Sequence, residues 1–163
     1  MSHYETARHS ASSVERALPT SQWTREQLLA REWLVTNGLG GYASGTLGGP
    51  ATRRYHALPV AALPAPLGRI VLVNQIDERV RLSGQRIRLP SRASESSPSI
   101  LSDFRLAGGL PMWRYAFDGV VLEKRLFMPN EQNTILVTYK LIRASERIRL
   151  NLRPHVGARM HEA

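Results

Sequence analysis

Runs of alternating aliphatic and polar residues follow one another along most of this chain, too close together to leave room for crossover helices. Arg79-Val80-Arg81-Leu82 and Arg86-Ile87-Arg88-Leu89 alternate with period two, which places arginines on one strand face and aliphatic residues on the other. Ser83-Gly84 and Asp118-Gly119 supply two-residue hairpin turns. The pattern therefore predicts an all-β fold, an antiparallel β-sandwich. We expect strands over residues 54–61, 69–82, 85–89, 112–117, 120–128, 134–142 and 147–152.

The first 22 residues differ in composition from the rest of the chain. Residues 1–22 are rich in Ser, Thr and charge without periodicity, which predicts a flexible arm before a domain that spans 23–163. Thr24 and Gln27 have the spacing of a capping box, which predicts one short helix over roughly 24–31. The N-terminus lacks an apolar signal segment, and the longest apolar stretch, residues 57–67, contains three prolines. We therefore expect a cytoplasmic protein without a membrane span.

Arginine dominates the formal charge of +9, since Lys124 and Lys140 are the only lysines. Three interpretations fit this charge. A solvated sheet face is favoured by the usual placement of charged residues. An inter-domain face would be matched by acidic residues on a partner. A nucleic-acid surface is the weakest, because the sequence contains no recognised binding motif. The chain has no cysteine, which excludes disulfides, zinc–thiolate sites and cysteine nucleophiles.

Residues 37–50 hold six of the twelve glycines and imitate two nucleotide-binding motifs. Gly38 to Ala43 match the dinucleotide-binding pattern, but further glycines and Pro50 follow where a helix must begin. Gly40 to Gly45 have P-loop spacing, yet Thr46 occupies the position of the phosphate-binding lysine. We therefore expect no nucleotide to bind here.

Side chains that could form a catalytic set or hold a metal are scattered. The five histidines lack metal-ligand spacing. Asp77 and Glu78 are adjacent, so on a strand they point to opposite faces and cannot act as an acid–base pair across one bond. We expect no cofactor, no metal and no catalytic residue in this chain.

Two segments are too specific for a generic β-domain. Residues 31–46 read Arg-Glu-Trp-Leu-Val-Thr-Asn-Gly-Leu-Gly-Gly-Tyr-Ala-Ser-Gly-Thr, and residues 52–58 read Thr-Arg-Arg-Tyr-His-Ala-Leu. Together they closely resemble the N-terminal domain of bacterial and archaeal glycogen debranching enzymes of the amylo-α-1,6-glucosidase type. The resemblance extends over about residues 30–160. It departs from the family at Pro59, because Ala57-Leu58-Pro59 stands where Gly-Leu-Leu is usual.

This resemblance implies a β-supersandwich that precedes an (α/α)6 barrel, and in the family the hydrolytic acid and base lie in that barrel. It also implies a longer domain than this chain, with further strands after residue 163. The expected function is a non-catalytic N-terminal module that supports an (α/α)6 catalytic domain, in cis or in trans, and binds α-glucan weakly in glycogen breakdown. The alternatives are a free-standing carbohydrate-binding or regulatory β-domain and, less favoured, a basic nucleic-acid-binding domain.

Candidate site residues lie in the glycine-rich segment and at the start of the next predicted strand. Sugar recognition uses planar polar groups that pair with hydroxyls and aromatic rings that stack on sugar faces. We therefore predict a set of substrate-binding or domain-interface residues: Asn37, Gly38, Gly40, Gly41, Tyr42, Arg53, Arg54, Tyr55 and His56.

Structural roles compete with site roles at several of these positions. The glycines are expected to permit positive φ angles and close backbone packing. If 54–56 is a strand, Arg54 and His56 share one face and Tyr55 takes the other, where a core role is favoured. His56 is evenly balanced between a satisfied buried histidine and a site residue. An alternating aromatic stripe is expected in the sandwich core: Trp113, Tyr115 and Phe117.

Overall fold

The computed structural model describes residues 16–20, 23–89 and 100–161. Within these residues it contains one short helix, α1 (Arg25–Leu29), and eleven strands. The strands are β1 (Arg16–Pro19), β2 (Glu32–Thr36), β3 (Tyr42–Thr46), β4 (Ala57–Ala62), β5 (Arg69–Leu82), β6 (Gln85–Arg88), β7 (Leu101–Ala107), β8 (Leu110–Phe117), β9 (Val120–Phe127), β10 (Leu136–Arg143) and β11 (Arg149–Met160). No helix among the described residues is long and apolar enough to cross a membrane.

Two antiparallel sheets face each other, which confirms the predicted all-β sandwich. One sheet has the order β1-β7-β8-β9-β10, and the other has the order β11-β5-β4-β3-β2, with β6 also paired to β5. The long strand β5 holds the second sheet together. It pairs with β4 over residues 69–71, with β6 over residues 79–82 and with β11 along its other edge.

Aromatic side chains join the two sheets in the core. Trp33 of β2 meets Trp113 of β8 edge to face, with ring centroids 5.3 Å apart, and Phe104 of β7 packs on the same ring at 5.4 Å. Trp113 and Tyr115 are almost fully buried, and Phe117 packs against the cluster that contains them. The predicted aromatic stripe therefore lies in the core, where such large apolar surfaces stabilise the sandwich most.

The two adjacent carboxylates of β5 point to opposite faces of the sheet, as predicted. Glu78 lies between the sheets, where Lys124 Nζ is 2.5 Å from its Oε1 and the Tyr139 hydroxyl donates to the same oxygen at 2.5 Å. Burial, and then the neighbouring Glu78 carboxylate, raise the pKa of Tyr139 well above its ordinary value. Asp77 lies on the opposite face of the sheet, where it is also buried, with His155 Nε2 3.2 Å from its Oδ2. A charged pair thus bridges the sheets inside an otherwise apolar core.

The two predicted hairpin turns are present. Ser83 and Gly84 have φ angles of 46° and 81°, and Asp118 and Gly119 have φ angles of 43° and 76°. Two successive positive φ angles define the type I′ turn, whose twist matches that of the strands it joins. The turns fix the β5–β6 and β8–β9 registers.

Several strand boundaries differ from the sequence prediction. Strand β4 begins at Ala57, and residues 53–55 form a turn. The expectation that Arg54 and His56 share one strand face is therefore wrong. Strand β3 lies inside the glycine-rich segment, residues 37–50, where no strand was predicted, and β7 was not predicted either, because neither strand shows a clear period-two alternation.

The N-terminal part follows the prediction only partly. The capping box is present: Gln27 N donates to Thr24 Oγ1 at 3.2 Å, and Thr24 N donates to Gln27 Oε1 at 2.9 Å. The helix ends at Leu29, earlier than expected. Residues 16–19 of the predicted flexible arm pair with β7 as strand β1, so this part belongs to the sheet. Residues 1–15 and 21–22 of that arm lie outside the described residues.

Candidate functional site

A tight turn between β2 and β3 is built around the buried side chain of Asn37. Its Oδ1 accepts hydrogen bonds from the amides of Leu39 at 3.0 Å and Gly41 at 2.9 Å. Its Nδ2 donates to the Gln132 carbonyl at 2.9 Å and to Asn133 Oδ1 at 3.1 Å. Both amide protons and the carbonyl oxygen of this side chain are therefore used within the chain. Asn37 sets the shape of the turn and ties it to the β9–β10 connection.

Two glycines of this turn are required, one by close approach and one by its backbone conformation. A Cβ at Gly41 would lie 2.6 Å from Asn37 Nδ2, and a Cβ at Gly38, whose φ is 78°, would lie 2.6 Å from Asn130 Oδ1. Four hydrogen bonds hold the Asn37 amide in place, so no room exists for a Cβ at Gly41. At Gly38 the Asn130 side chain can move aside, but the positive φ strains any L-residue. The expected structural role of these glycines is confirmed at both positions.

Glu32 of β2 holds the 52–56 segment against the outer face of the second sheet. Arg53 Nε donates a short hydrogen bond to Glu32 Oε1, and this bond holds the pKa of the Glu32 carboxyl below its ordinary value. His56 is buried beneath the same carboxylate, with Nε2 3.5 Å from Glu32 Oε1. The Thr52 amide donates to His56 Nδ1 at 3.1 Å, so the neutral ring carries its proton on Nε2, towards Glu32. Burial lowers the pKa of His56.

Two tyrosines lie side by side on this outer face. The Tyr42 hydroxyl donates to the Tyr55 carbonyl at 3.2 Å and lies 2.7 Å from His161 Nε2. Burial raises the pKa of the Tyr42 phenol, so it stays protonated at neutral pH. Beneath Tyr42 a small apolar cluster of Ala57, Val60 and Val71 supports the ring.

Between these groups lies a cavity of about 470 Å³ on the outer face of β2 and β3. Its size falls in the range of small-molecule sites. Arg69 donates through Nε to the Gly40 carbonyl at 2.9 Å, which fixes its guanidinium beside the cavity. The lining combines aromatic and aliphatic surface with a carboxylate, a guanidinium and four hydroxyls. It comprises Glu32, Trp33, Leu34, Thr36, Gly40, Gly41, Tyr42, Ser44, Tyr55 and Arg69.

Four of the predicted site residues reach this cavity: Gly40, Gly41, Tyr42 and Tyr55. The core role that we favoured for Tyr55 is wrong, because its side chain is 41% exposed. The turn over residues 53–55 carries it to the outer surface instead of into a strand.

The other five predicted residues surround the cavity without lining it. Asn37 and His56 are buried, and Gly38 lies against Asn130. Arg53 reaches the rim through its bond to Glu32. Arg54 has an exposed side chain, and its carbonyl accepts from Arg159 Nη2 at 2.8 Å.

Sequence reasoning missed the residues that approach from distant parts of the chain. Glu32, Arg69, Asn133 and His161 all contact the site through partners at least 21 positions away. The clearest signal existed for Glu32, which lies in the most family-specific segment, residues 31–46. Among the described residues, no three His, Cys, Asp or Glu side chains are grouped so as to hold a metal ion.

The sandwich and its lined cavity define a β-module that presents a small, mixed apolar and polar site on one sheet face. Residues 31–163 match the family model described as glycogen debranching enzyme N terminal, a match that includes β2 to β11. The chain therefore belongs to the glycogen debranching enzyme N-terminal family. Searches of curated proteins and of solved structures gave no match.

Proposed function

We propose that this chain is a non-catalytic module that binds α-glucan weakly in its outer cavity and supports an (α/α)6 catalytic domain, in cis or in trans, during glycogen breakdown. The observation that carries the glucan proposal is the cavity lining. Tyr42 and Tyr55 offer ring surface for the C–H faces of a sugar, while Glu32 and Arg69 offer charged partners for its hydroxyls. Most of the cavity lining lies in residues 31–46, a segment that carries the resemblance and falls within the family match.

The expected affinity is low. Each hydrogen bond between a sugar hydroxyl and a charged group contributes about 1.5–3 kcal/mol, and a stacked ring adds roughly 0.5–1.5 kcal/mol. Ordering of the glucan and of the side chains offsets part of this gain. A few such contacts give a dissociation constant of about 1 mM. Tighter binding of a branched glucan therefore needs surface beyond this cavity.

The cavity lining also favours a non-catalytic role. Glycoside hydrolysis uses two carboxyl groups on opposite sides of the scissile bond. Among the described residues that line the cavity, Glu32 is the only carboxylate, and it is engaged with Arg53. The acid and base for hydrolysis are accordingly assigned to the catalytic domain.

Binding is tested by titrating maltohexaose into the isotope-labelled chain and following amide chemical shifts. We expect changes at Gly40, Gly41 and Tyr42, and none of comparable size with cellohexaose. Tyr55→Ala should raise the dissociation constant roughly fivefold, as loss of about 1 kcal/mol predicts. The matched control is Leu110→Ala, which truncates a side chain of equal exposure, 41%, on the other sheet. Equal effects of the two substitutions would reject the cavity as the glucan site.

Catalysis is tested separately with a phosphorylase limit dextrin. The purified chain should release no glucose above the rate of a buffer blank. Release that persists in the purified chain and is abolished by Glu32→Gln would contradict the non-catalytic role without touching the binding result.

A further inference from the structure

Four arginines surround the turn end of the β5–β6 hairpin. Arg81 of β5 pairs in register with Arg86 of β6 on one side and with Arg149 of β11 on the other. Arg147 lies in the connection before β11. Together these four residues, which we call the arginine face, line an open depression of about 430 Å³ with Leu82, Ser83, Gly84 and Ile148. All four are exposed.

This arrangement is unfavourable for the isolated chain. Like charges that stand directly opposite on neighbouring strands destabilise a sheet. Further along β5, Asp77 partly neutralises the charge of Arg79, whose Nη2 lies 3.7 Å from the Asp77 Oδ2. Within the part of the chain that the structure describes, no carboxylate forms an ion pair with the arginine face. Glu146, which is next to Arg147, instead accepts a short hydrogen bond from the Ser83 hydroxyl.

The chemistry of the surrounding surface favours a protein over a nucleic acid as the partner. Strands β5, β6 and β11 contain no lysine and no Phe, Tyr or Trp. Protein interfaces are enriched in arginine and depleted in lysine, whereas single-stranded nucleic acids are held by aromatic rings that stack on bases. Planar guanidinium groups pair two-pronged with carboxylates.

We propose that the arginine face is a docking surface for an acidic protein surface, whose carboxylates pair with Arg81, Arg86, Arg147 and Arg149. The partner would relieve the repulsion between these residues. The proposal is independent of glucan binding, because the arginine face lies at the opposite end of β5 from the cavity.

The test compares two triple variants of the full chain that change the net charge equally. The row variant removes the three arginines of the arginine face that pair in register: Arg81→Gln/Arg86→Gln/Arg149→Gln. The control variant removes three exposed charges elsewhere: Arg25→Gln/Lys140→Gln/Arg143→Gln. Fluorescence anisotropy measures binding to a polyglutamate of about 20 residues, as a carboxylate probe, and to a 20-nucleotide oligothymidine. We expect salt-sensitive polyglutamate binding that weakens at least about tenfold in the row variant and less than about twofold in the control variant.

Three outcomes would overturn the proposal. Equal weakening in the two variants would mean that net charge alone drives binding. Tighter binding of oligothymidine than of polyglutamate would point to a phosphate chain. The third outcome concerns stability. We expect the variant with Arg81, Arg86 and Arg149 replaced to unfold at a higher temperature than the parent chain at low salt, with a difference that shrinks as salt rises. A lower unfolding temperature of this variant would mean that the arginines stabilise the fold, which contradicts a role in binding a partner.

Discussion

Asn37→Ala should destabilise the fold by about 3 kcal/mol, a large part of a typical domain stability. The substitution leaves the Gly41 and Leu39 amides and the Gln132 carbonyl without their partner. A buried polar group that loses its hydrogen-bond partner lowers the free energy of unfolding by roughly 1–3 kcal/mol. We use the lower end for each group, because the Leu39 and Gln132 bonds are only partly buried. Three such groups give the stated sum.

A second substitution separates the two halves of this interaction. Asn37→Asp keeps an oxygen for the Leu39 and Gly41 amides but places another oxygen against the Gln132 carbonyl, where Nδ2 now lies at 2.9 Å. The turn should therefore keep its internal bonds while its link to residues 130–133 is lost. Asn151→Ala, an exposed change on β11, is the matched control and should cost less than about 0.5 kcal/mol.

The assay combines urea unfolding with amide hydrogen exchange. Protection of the Leu39 and Gly41 amides should fall in Asn37→Ala and persist in Asn37→Asp, although both variants lose stability. A loss below about 0.5 kcal/mol in Asn37→Ala, with unchanged exchange at both amides, would refute the reasoning. It would mean that water replaces the hydrogen bonds of the Asn37 side chain without lowering the free energy of unfolding.

Two further predictions concern buried titratable groups. Burial lowers the pKa of His56 below 6.5 in the fold, so the folded chain binds fewer protons than the unfolded chain and stability should fall as pH drops below about 6.5. His56→Gln should flatten this dependence between about pH 7.5 and pH 5, and an unchanged slope in urea unfolding would contradict the prediction. Lys124→Met should cost about 3–5 kcal/mol because Glu78 stays buried without its cation, whereas the exposed control Lys140→Met should cost under about 0.5 kcal/mol. A loss below about 1 kcal/mol at Lys124 would show that Tyr139 alone satisfies the carboxylate.

The fold class followed from local sequence, because strand alternation and turn chemistry are local properties. The hairpins at Ser83-Gly84 and Asp118-Gly119 needed only the residues of the turns themselves. Strand β3 was missed because its glycine is explained by a contact with another strand and not by the local sequence. Its glycine at position 45 lies under Trp33, with a hypothetical Cβ 3.2 Å from that ring, and such a contact between strands leaves no mark in the local pattern.

The cavity adjoins the segment that the sequence emphasised, but several of its side chains come from elsewhere in the chain. The cavity includes the Gly40–Tyr42 turn that the sequence emphasised, yet its charged groups, Glu32 and Arg69, come from outside that segment. Their positions depend on the pairing of β2 with β3 and of β4 with β5. Tyr55 was assigned to the core because a strand was assumed through residues 54–56. Because the backbone turns at residues 53–55, the side chain lies on the outer surface and not on the core face that a strand would have given it.

Strand β5 carries both proposed surfaces, and its length decides how they can be used together. Arg69 lies at the first residue of the strand and Arg81 at its thirteenth. Twelve residues of extended chain span about 40 Å, far more than the width of a sugar ring. The two proposed sites therefore share no residue, and a sugar unit in the cavity would leave the arginine face uncovered. The chain would then hold a polysaccharide and a second protein in one ternary complex, at a separation fixed by a single rigid strand.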